Sequence, residues 1–230
     1  MLKFSTRRIK KAEKEFIPSL EQFIQQFYWG EHLTISQAER NLNESLVEIT
    51  YYGEHSSNGL LITENGYFLT AKHCVTGKLR GMKIKLHNER VYSIERVCAI
   101  SNKDDIALAK ARIDGENRSK NYKFYNSENL KKMPITLMTR REGELNNKYG
   151  FIEEKTSVIS KGLDNIEYLC QNAISSVIES KPGDSGGIIV STDRRLLGFN
   201  VSASNEKASA VVLNKALELV VFYISRIKQR

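Results

Sequence analysis

The segment KPGDSGG, residues 181–187, places one serine among three glycines. Gly183 can adopt backbone conformations that other residues avoid, so the amides of Gly183 and Ser185 can point together at an oxygen that gains negative charge. Gly186 and Gly187 would keep the space beside the Ser185 hydroxyl clear. Glycines in this pattern also suit an ordinary turn between strands. Because a serine nucleophile needs a base that is itself oriented by a third group, the chain must also supply a histidine and an acid.

Two other segments contain these groups. In GYFLTAKHC, an apolar strand pattern ends just before His73, and in KDDIALAKA a second strand pattern begins just after Asp105. Asp104 is the alternative acid. The other histidines have no comparable setting and are interpreted as surface or turn residues: His32, His55 and His87.

Taken in order, LTAKHC, DIAL and GDSGG resemble the three signature segments of the chymotrypsin-like (trypsin-like) serine peptidases. The resemblance extends from about residue 43 to the C-terminus. His73 precedes Asp105 by 32 residues, and Asp105 precedes Ser185 by 80. The short first interval is more similar to the bacterial HtrA and glutamyl-endopeptidase groups, here without a PDZ domain, and the segment GFNVSA also resembles those groups.

The resemblance implies a mainly β fold of two antiparallel barrels, with an N-terminal helical extension and a C-terminal helix. We expect the extension in residues 1–42 and the peptidase domain in 43–230, with the boundary between the barrels near residues 120–133. A chain of this length can bury the core of one such domain but not that of a second.

The family's mechanism can be carried over to matching positions. Ser185 would attack a peptide carbonyl, His73 would take and return the proton, and Asp105 would hold the imidazole tautomer. The amides of Gly183 and Ser185 would form the oxyanion hole. The resemblance implies no metal and no organic cofactor.

Further positions are implied to bind substrate: Glu179, Ser180, Asn200, Val201, Ser202 and Ala203. Trypsin-like enzymes carry the acid of the primary pocket six residues before the nucleophile, which is Glu179 here, so cleavage after Arg or Lys is expected. Three alternatives remain: Lys181 neutralises Glu179, Glu179 is an exposed loop residue, or the GFNVSA segment with Asn200 forms a pocket for small apolar side chains. Substrate backbone would add as a strand along residues 201–203.

Asp184 precedes the nucleophile. In trypsin-like zymogens, an aspartate at this position pairs with a new N-terminus released by cleavage, yet the chain contains no activation sequence of that type. A buried carboxylate without a partner is costly, so another cation must pair with Asp184. The sequence leaves that cation open.

Cysteine usage bears on the compartment. The odd count and the lack of a CxxC motif fit neither a disulfide framework nor a zinc site: Cys74, Cys98 and Cys170. In secreted relatives the residue after the catalytic histidine is bridged to a cysteine that would fall at Asn58. The N-terminal residues lack the apolar stretch of a secretory signal, and no long apolar run suggests a membrane span. We therefore expect a cytoplasmic protein.

The formal net charge of +8 gathers in residues 3–14 and 226–230. Without an aromatic stacking surface or a known module, this charge favours solvated tails over specific nucleic-acid binding. Residues 19–28 predict a helix with an apolar face made of Leu20, Phe23, Ile24, Phe27 and Tyr28. That face either docks on the chain's own barrel or receives a protein regulator.

The expected partners are therefore a protein or peptide substrate and, through this helix, a regulator, with no membrane. Two alternatives to an independently active peptidase remain open. One is a peptidase of a stress or defence system that is idle until a partner engages it, and the other is a catalytically silent homologue that acts as a binding module.

Overall fold

The computed structural model describes residues 17–29, 33–76, 79–116, 118–125, 130–161, 167–203 and 207–229. Within these ranges the strands form two closed, six-stranded antiparallel barrels, and helices precede and follow them. The predicted fold class is therefore confirmed. The basic residues 3–14 and His32 lie outside the described residues.

The first barrel has the strand order β1-β2-β3-β6-β5-β4, and β4 pairs with β1 to close it. Its strands are β1 (Leu46–Tyr51), β2 (Glu54–Leu61), β3 (Tyr67–Thr70), β4 (Met82–Lys85), β5 (Val91–Ile100) and β6 (Ala107–Ala111). Both β3 and β6 are buried along their whole length, which explains why their sequences are almost continuously apolar.

The second barrel has the strand order β10-β11-β12-β9-β8-β7. Its strands are β7 (Pro134–Arg141), β8 (Glu144–Lys161), β9 (Glu167–Val177), β10 (Ile188–Ser191), β11 (Leu196–Ala203) and β12 (Ala208–Val212). The segment between β6 and β7 joins the two barrels. The site described below lies where β2 and β3 of the first barrel contact the loop that leads into β10.

Helix α1 (Ile17–Trp29) packs against the segment that joins the two barrels and against the C-terminal helix. Phe23 is fully buried and meets the rings of Tyr122 and Phe124 edge-on, with centroids 6.1 and 5.6 Å away. Tyr28, by contrast, is 70% exposed. The apolar face is thus largely used for internal packing, as the first of the two interpretations expects.

Two further helices flank the barrels. Helix α2 (Ile35–Ser45) begins with a capping box between Thr34 and Gln37, and it runs across the expected domain boundary at residue 42, which stays a prediction. Helix α3 is Leu213–Lys228. Its N-cap is Val212, which makes no side-chain capping bond. No helix in the described ranges has the length and apolarity needed to cross a membrane.

Candidate active site

The pairing of β3 with β6 brings a histidine and an acid together. Thr70 at the end of β3 lies opposite Ala107 at the start of β6, and a short 3₁₀ helix follows β3 and carries His73. His73 Nδ1 lies 2.5 Å from Asp105 Oδ2, and the His73 amide donates to Asp105 Oδ1 at 2.9 Å. Asp105 is fully buried. Asp105 rather than the neighbouring Asp104 therefore contacts the imidazole.

The surroundings of His73 favour its charged form. Burial alone opposes protonation, but the sulfur of Cys74 and the hydrogen bond with Asp105 outweigh it and raise the pKa of His73. Since Nδ1 faces a carboxylate, it carries a proton, which leaves Nε2 as the nitrogen that can accept one. When His73 loses one proton, the neutral ring that keeps the proton on Nδ1 is the tautomer that a general base requires.

The loop of residues 181–187, called the Ser185 loop below, has four backbone amides with acceptors in the chain. The Lys181 amide donates to Asp184 Oδ2, and the amides of Asp184, Gly186 and Gly187 donate to backbone carbonyls. Among the described residues, the amides of Gly183 and Ser185 donate to no backbone carbonyl. They are the two amides assigned to an oxyanion hole by the resemblance. Gly183 has φ +95°, a left-handed conformation that glycine adopts without strain.

Gly186 has a different role from the one expected. It was expected to leave space beside the Ser185 hydroxyl, but a Cβ at Gly186 would overlap the carbonyl oxygen of Asn58 and crowd the Thr70 hydroxyl. Gly186 therefore allows the first barrel to approach the backbone of the Ser185 loop closely. Ser185 itself is partly exposed.

Asn58 connects the two barrels at this point. It is fully buried on β2, and its amide donates to the Ser185 carbonyl at 2.7 Å. Its side chain donates to the Gly183 carbonyl at 2.9 Å and accepts from the Arg140 amide at 2.6 Å. Its carbonyl accepts from the Thr70 hydroxyl at 2.6 Å. Asn58, which stands where secreted relatives have a bridging cysteine, thus connects the two barrels through hydrogen bonds.

All three cysteines lie within the described residues and are thiols, with Cys74 and Cys170 buried and Cys98 half-buried. No group of three or more metal-ligating side chains occurs among the described residues.

Asp184 has an internal counter-ion. Lys148 of β8 places its Nζ 2.6 Å from Asp184 Oδ2. The Lys148 side chain is 23% exposed and the Asp184 side chain 9% exposed. The cation that the sequence left open is therefore a lysine of the second barrel.

The residues that the resemblance assigns to the primary pocket lie in different environments. Glu179 is exposed and forms an ion pair with Lys181 at 2.9 Å, and the hydrogen bond from Lys181 lowers the pKa of Glu179. Asn200 is fully buried, and its Nδ2 donates to Ser180 Oγ at 3.1 Å and to the Asp184 carbonyl at 3.2 Å. The structure thus brings Ser180 and Asn200 together and leaves Glu179 beside them in an exposed ion pair.

The segment from Val201 to Ala203 lies at the end of β11, beyond the part that pairs with β10. The register with β10 covers residues 196–199, whereas on the other side β12 pairs with Ser202 and Ala203. An extended peptide could add along the β10 side of this segment.

His55 departs from the interpretation of a surface or turn histidine. Its side chain is only 7% exposed, and its two ring nitrogens lie 2.8 Å from Glu48 Oε1 and 2.9 Å from the Gly183 carbonyl oxygen. The exposed His87, in the turn after β4, fits the interpretation. His55 follows Glu54 in a strand that reads as polar, so its local sequence gives no sign of these distant partners.

The chain matches the family model for trypsin over residues 34–215. The active form of the protease Rv3671c from M. tuberculosis is similar, with a TM-score of 0.64 and 13% identity over 80% of this chain and 82% of that one. The MamO protease domain from Magnetospirillum magneticum, in its apo form, has a TM-score of 0.64 and 16% identity over 78% and 97% of the two chains. No curated protein matches. The two solved structures share the fold, and the family model spans most of the sequence, so the chain belongs to the trypsin family of serine peptidases.

Proposed function

We propose that this peptidase hydrolyses internal peptide bonds through a triad of His73, Asp105 and Ser185. The observation that carries the proposal is the contact of His73 Nδ1 with the buried Asp105 carboxylate at 2.5 Å. An orienting acid of this kind leaves Nε2 ready to accept a proton from the nucleophile. Ser185 is the nucleophile because it is the partly exposed serine of the GDSGG motif.

The reaction proceeds in two halves. Ser185 Oγ bonds to the peptide carbonyl carbon while its proton passes to His73 Nε2, and His73 then gives that proton to the departing amine as the C–N bond breaks. Water attacks the resulting ester, its proton passes to His73, and the Ser185 oxygen leaves and regains a proton. Asp105 keeps the imidazole oriented and stabilises its charge throughout.

The amides of Gly183 and Ser185 bind the oxyanion. Support comes from the hydrogen bonding of the neighbouring amides, because Asp184 donates to the Lys181 carbonyl and Gly186 to the Asn200 carbonyl, which leaves the amides of Gly183 and Ser185 without a backbone acceptor among the described residues. Donors held in place before the reaction need no reorganisation when charge develops, and one such donor contributes on the order of 10²–10³ in turnover.

Substrate adds as a strand beside residues 201–203, and its side chain enters a pocket near Ser180 and Asn200. Preference for Arg or Lys rests on Glu179, whose ion pair with Lys181 a basic side chain must displace. We propose a cytoplasmic setting, supported by the three thiols. We also propose that a protein regulator, where one acts, contacts the exposed end of α1 at Tyr28.

Labelling with a serine-directed fluorophosphonate tests the proposal. The Ser185 oxygen should displace fluoride from phosphorus, and peptide mass mapping should locate the adduct on Ser185. Ser157→Ala, at an exposed serine of β8, is the matched control and should label like the wild type, whereas Ser185→Ala should not label. Labelling only after addition of cell extract would favour the partner-activated alternative, and failure to label under any condition would favour a silent binding module.

A further inference from the structure

The Gly183 carbonyl accepts hydrogen bonds from two side chains of the first barrel. His55 Nε2 and Asn58 Nδ2, both on β2, each lie 2.9 Å from this oxygen. The oxygen belongs to the peptide group that links Gly183 to Asp184, between the two amides of the proposed oxyanion hole. Fixing this peptide group restricts the rotation of both flanking residues. The first barrel therefore controls the conformation of a loop that belongs to the second.

His55 is itself held by a buried carboxylate. Glu48 on β1 places Oε1 2.8 Å from His55 Nδ1, and the Glu48 side chain is 3% exposed. The same carboxylate accepts hydrogen bonds from the Glu142 amide at 3.0 Å and from the Gly143 amide at 3.2 Å. These amides lie at the turn between β7 and β8, so Glu48 also connects the two barrels.

The partners determine how many protons His55 carries. A carbonyl oxygen can only accept, so Nε2 must donate to Gly183. Glu48 accepts from two backbone amides, as an ionised carboxylate does, and an ionised Glu48 requires Nδ1 to donate as well. Both ring nitrogens then carry hydrogen, and His55 is an imidazolium. A neutral ring would place a nitrogen lone pair against either the carboxylate or the carbonyl.

Other charged groups surround this pair. Lys85 on β4 and Arg140 on β7 interact electrostatically with Glu48, and the Arg141 guanidinium lies beside Gly183. Glu48 therefore interacts with several cations. It is also the carboxylate that contacts His55 directly. An ion pair that is desolvated and fully hydrogen-bonded has one well-defined geometry.

We infer that Glu48 and His55 form a buried ion pair that positions the Ser185 loop for oxyanion binding. This inference rests on the proposed function, and both members are positioning residues that act through the Gly183 carbonyl without touching substrate. Loss of the pair releases this peptide group, so the oxyanion donors are no longer held before the reaction. Because these donors matter most in the transition state, turnover should fall more than substrate affinity.

Kinetics of His55→Phe, His55→Gln and the exposed control His87→Ala test the inference. His55→Phe keeps the ring size but removes both donors, and it should lower kcat by about tenfold or more with KM changed less than threefold. His55→Gln can still donate to the Gly183 carbonyl and should recover part of the loss, and His87→Ala should match the wild type. Unchanged kcat in a folded His55→Phe protein, or equal loss in both His55 variants, would contradict the inference.

Nitrogen-15 NMR supplies a readout that does not depend on activity. In Ser185→Ala protein, both His55 ring nitrogens should show the shifts of protonated nitrogen, and Glu48→Gln should convert one of them to the unprotonated type. The amide signal of Asp184, whose peptide group contains the Gly183 carbonyl, should move in Glu48→Gln and stay in His87→Ala. An unprotonated His55 nitrogen in the parent protein would overturn the ion pair even if Ser185 proved to be the nucleophile. A protonated pair in a protein that hydrolyses nothing would instead count against the proposed function alone.

Discussion

Lys148 Nζ lies 2.6 Å from Asp184 Oδ2, so an internal lysine neutralises the carboxylate that precedes the nucleophile. In trypsin-like zymogens, which the sequence resembles, the aspartate at this position pairs instead with an N-terminal amine created by cleavage. Here the cation arrives on β8, which pairs with β7 and β9 and is present as soon as the second barrel folds. The Ser185 loop can therefore reach its working conformation without a cut in the chain.

Replacing Lys148 by Met should weaken this loop. Asp184 would keep its bond from the Lys181 amide but lose its charge partner, at a cost of about 1–3 kcal/mol in folding stability. Unprocessed Lys148→Met protein should lose most of its peptidase activity, and Lys148→Arg should retain more. Thermal unfolding and turnover of full-length protein measure both effects. Activity that appears only after cleavage between residues 30 and 50 would indicate that Asp184 pairs with a new N-terminal amine, as in zymogens. That result would contradict the role given to Lys148.

The activity should depend on pH through His73. His73 must be neutral to accept the Ser185 proton, and its pKa is raised, so kcat/KM should climb with pH and reach half its maximum above the ordinary value of about 6.5. A pH–rate profile with its midpoint at or below about 6.5 would contradict this account.

The same shift predicts the pH dependence of stability. A raised pKa in the folded state means that folding favours the protonated imidazole. The contribution of the His73–Asp105 contact is then fully present below about pH 6.5 and is lost as pH rises through the folded-state pKa. Urea unfolding of the wild type and of His73→Ala should therefore diverge most at low pH.

The native protein should yield three titratable thiols after denaturation without reductant. Its melting temperature should not fall when reductant is added, because Asn58, which donates to the Gly183 carbonyl and accepts from the Arg140 amide, stands where secreted relatives have a bridging cysteine. Thiol titration and mass measurement check this. A mass lower by two hydrogens than that of the reduced chain would reveal a disulfide and argue against the cytoplasmic setting.

Specificity can be decided with two charge variants. If Glu179 recognises a basic side chain, Lys181→Ala should strengthen the preference for Arg and Lys, and Glu179→Gln should abolish it. Profiling a peptide library with both variants and the wild type measures the preference. Identical profiles would show that Glu179 is only an exposed loop residue. The buried Asn200 would then be the candidate for determining specificity.

The sequence predicted those parts of the site that depend on local patterns. Strand patterns next to His73 and Asp105 were enough to select the contact between these two residues, and the part of Ser185 stays a prediction. The roles of His55 and Lys148 depend on partners 128 and 36 residues away, so no local pattern identifies them. From the sequence, Gly186 was expected to leave space for substrate, whereas in the structure it leaves space for the Asn58 carbonyl. The neighbour that approaches a glycine depends on the folded structure, and the sequence does not show it.

Hydrolysis of an unfolded protein substrate by wild type and Ser185→Ala, each purified to the same folded state, tests the central claim most directly. Triads in other enzymes lose on the order of 10⁶ in turnover without the serine and about 10⁴ when the acid becomes an amide. We therefore expect cleavage by the wild type, no measurable cleavage by Ser185→Ala, and a trace in Asp105→Asn. Equal cleavage by wild type and Ser185→Ala would contradict the account.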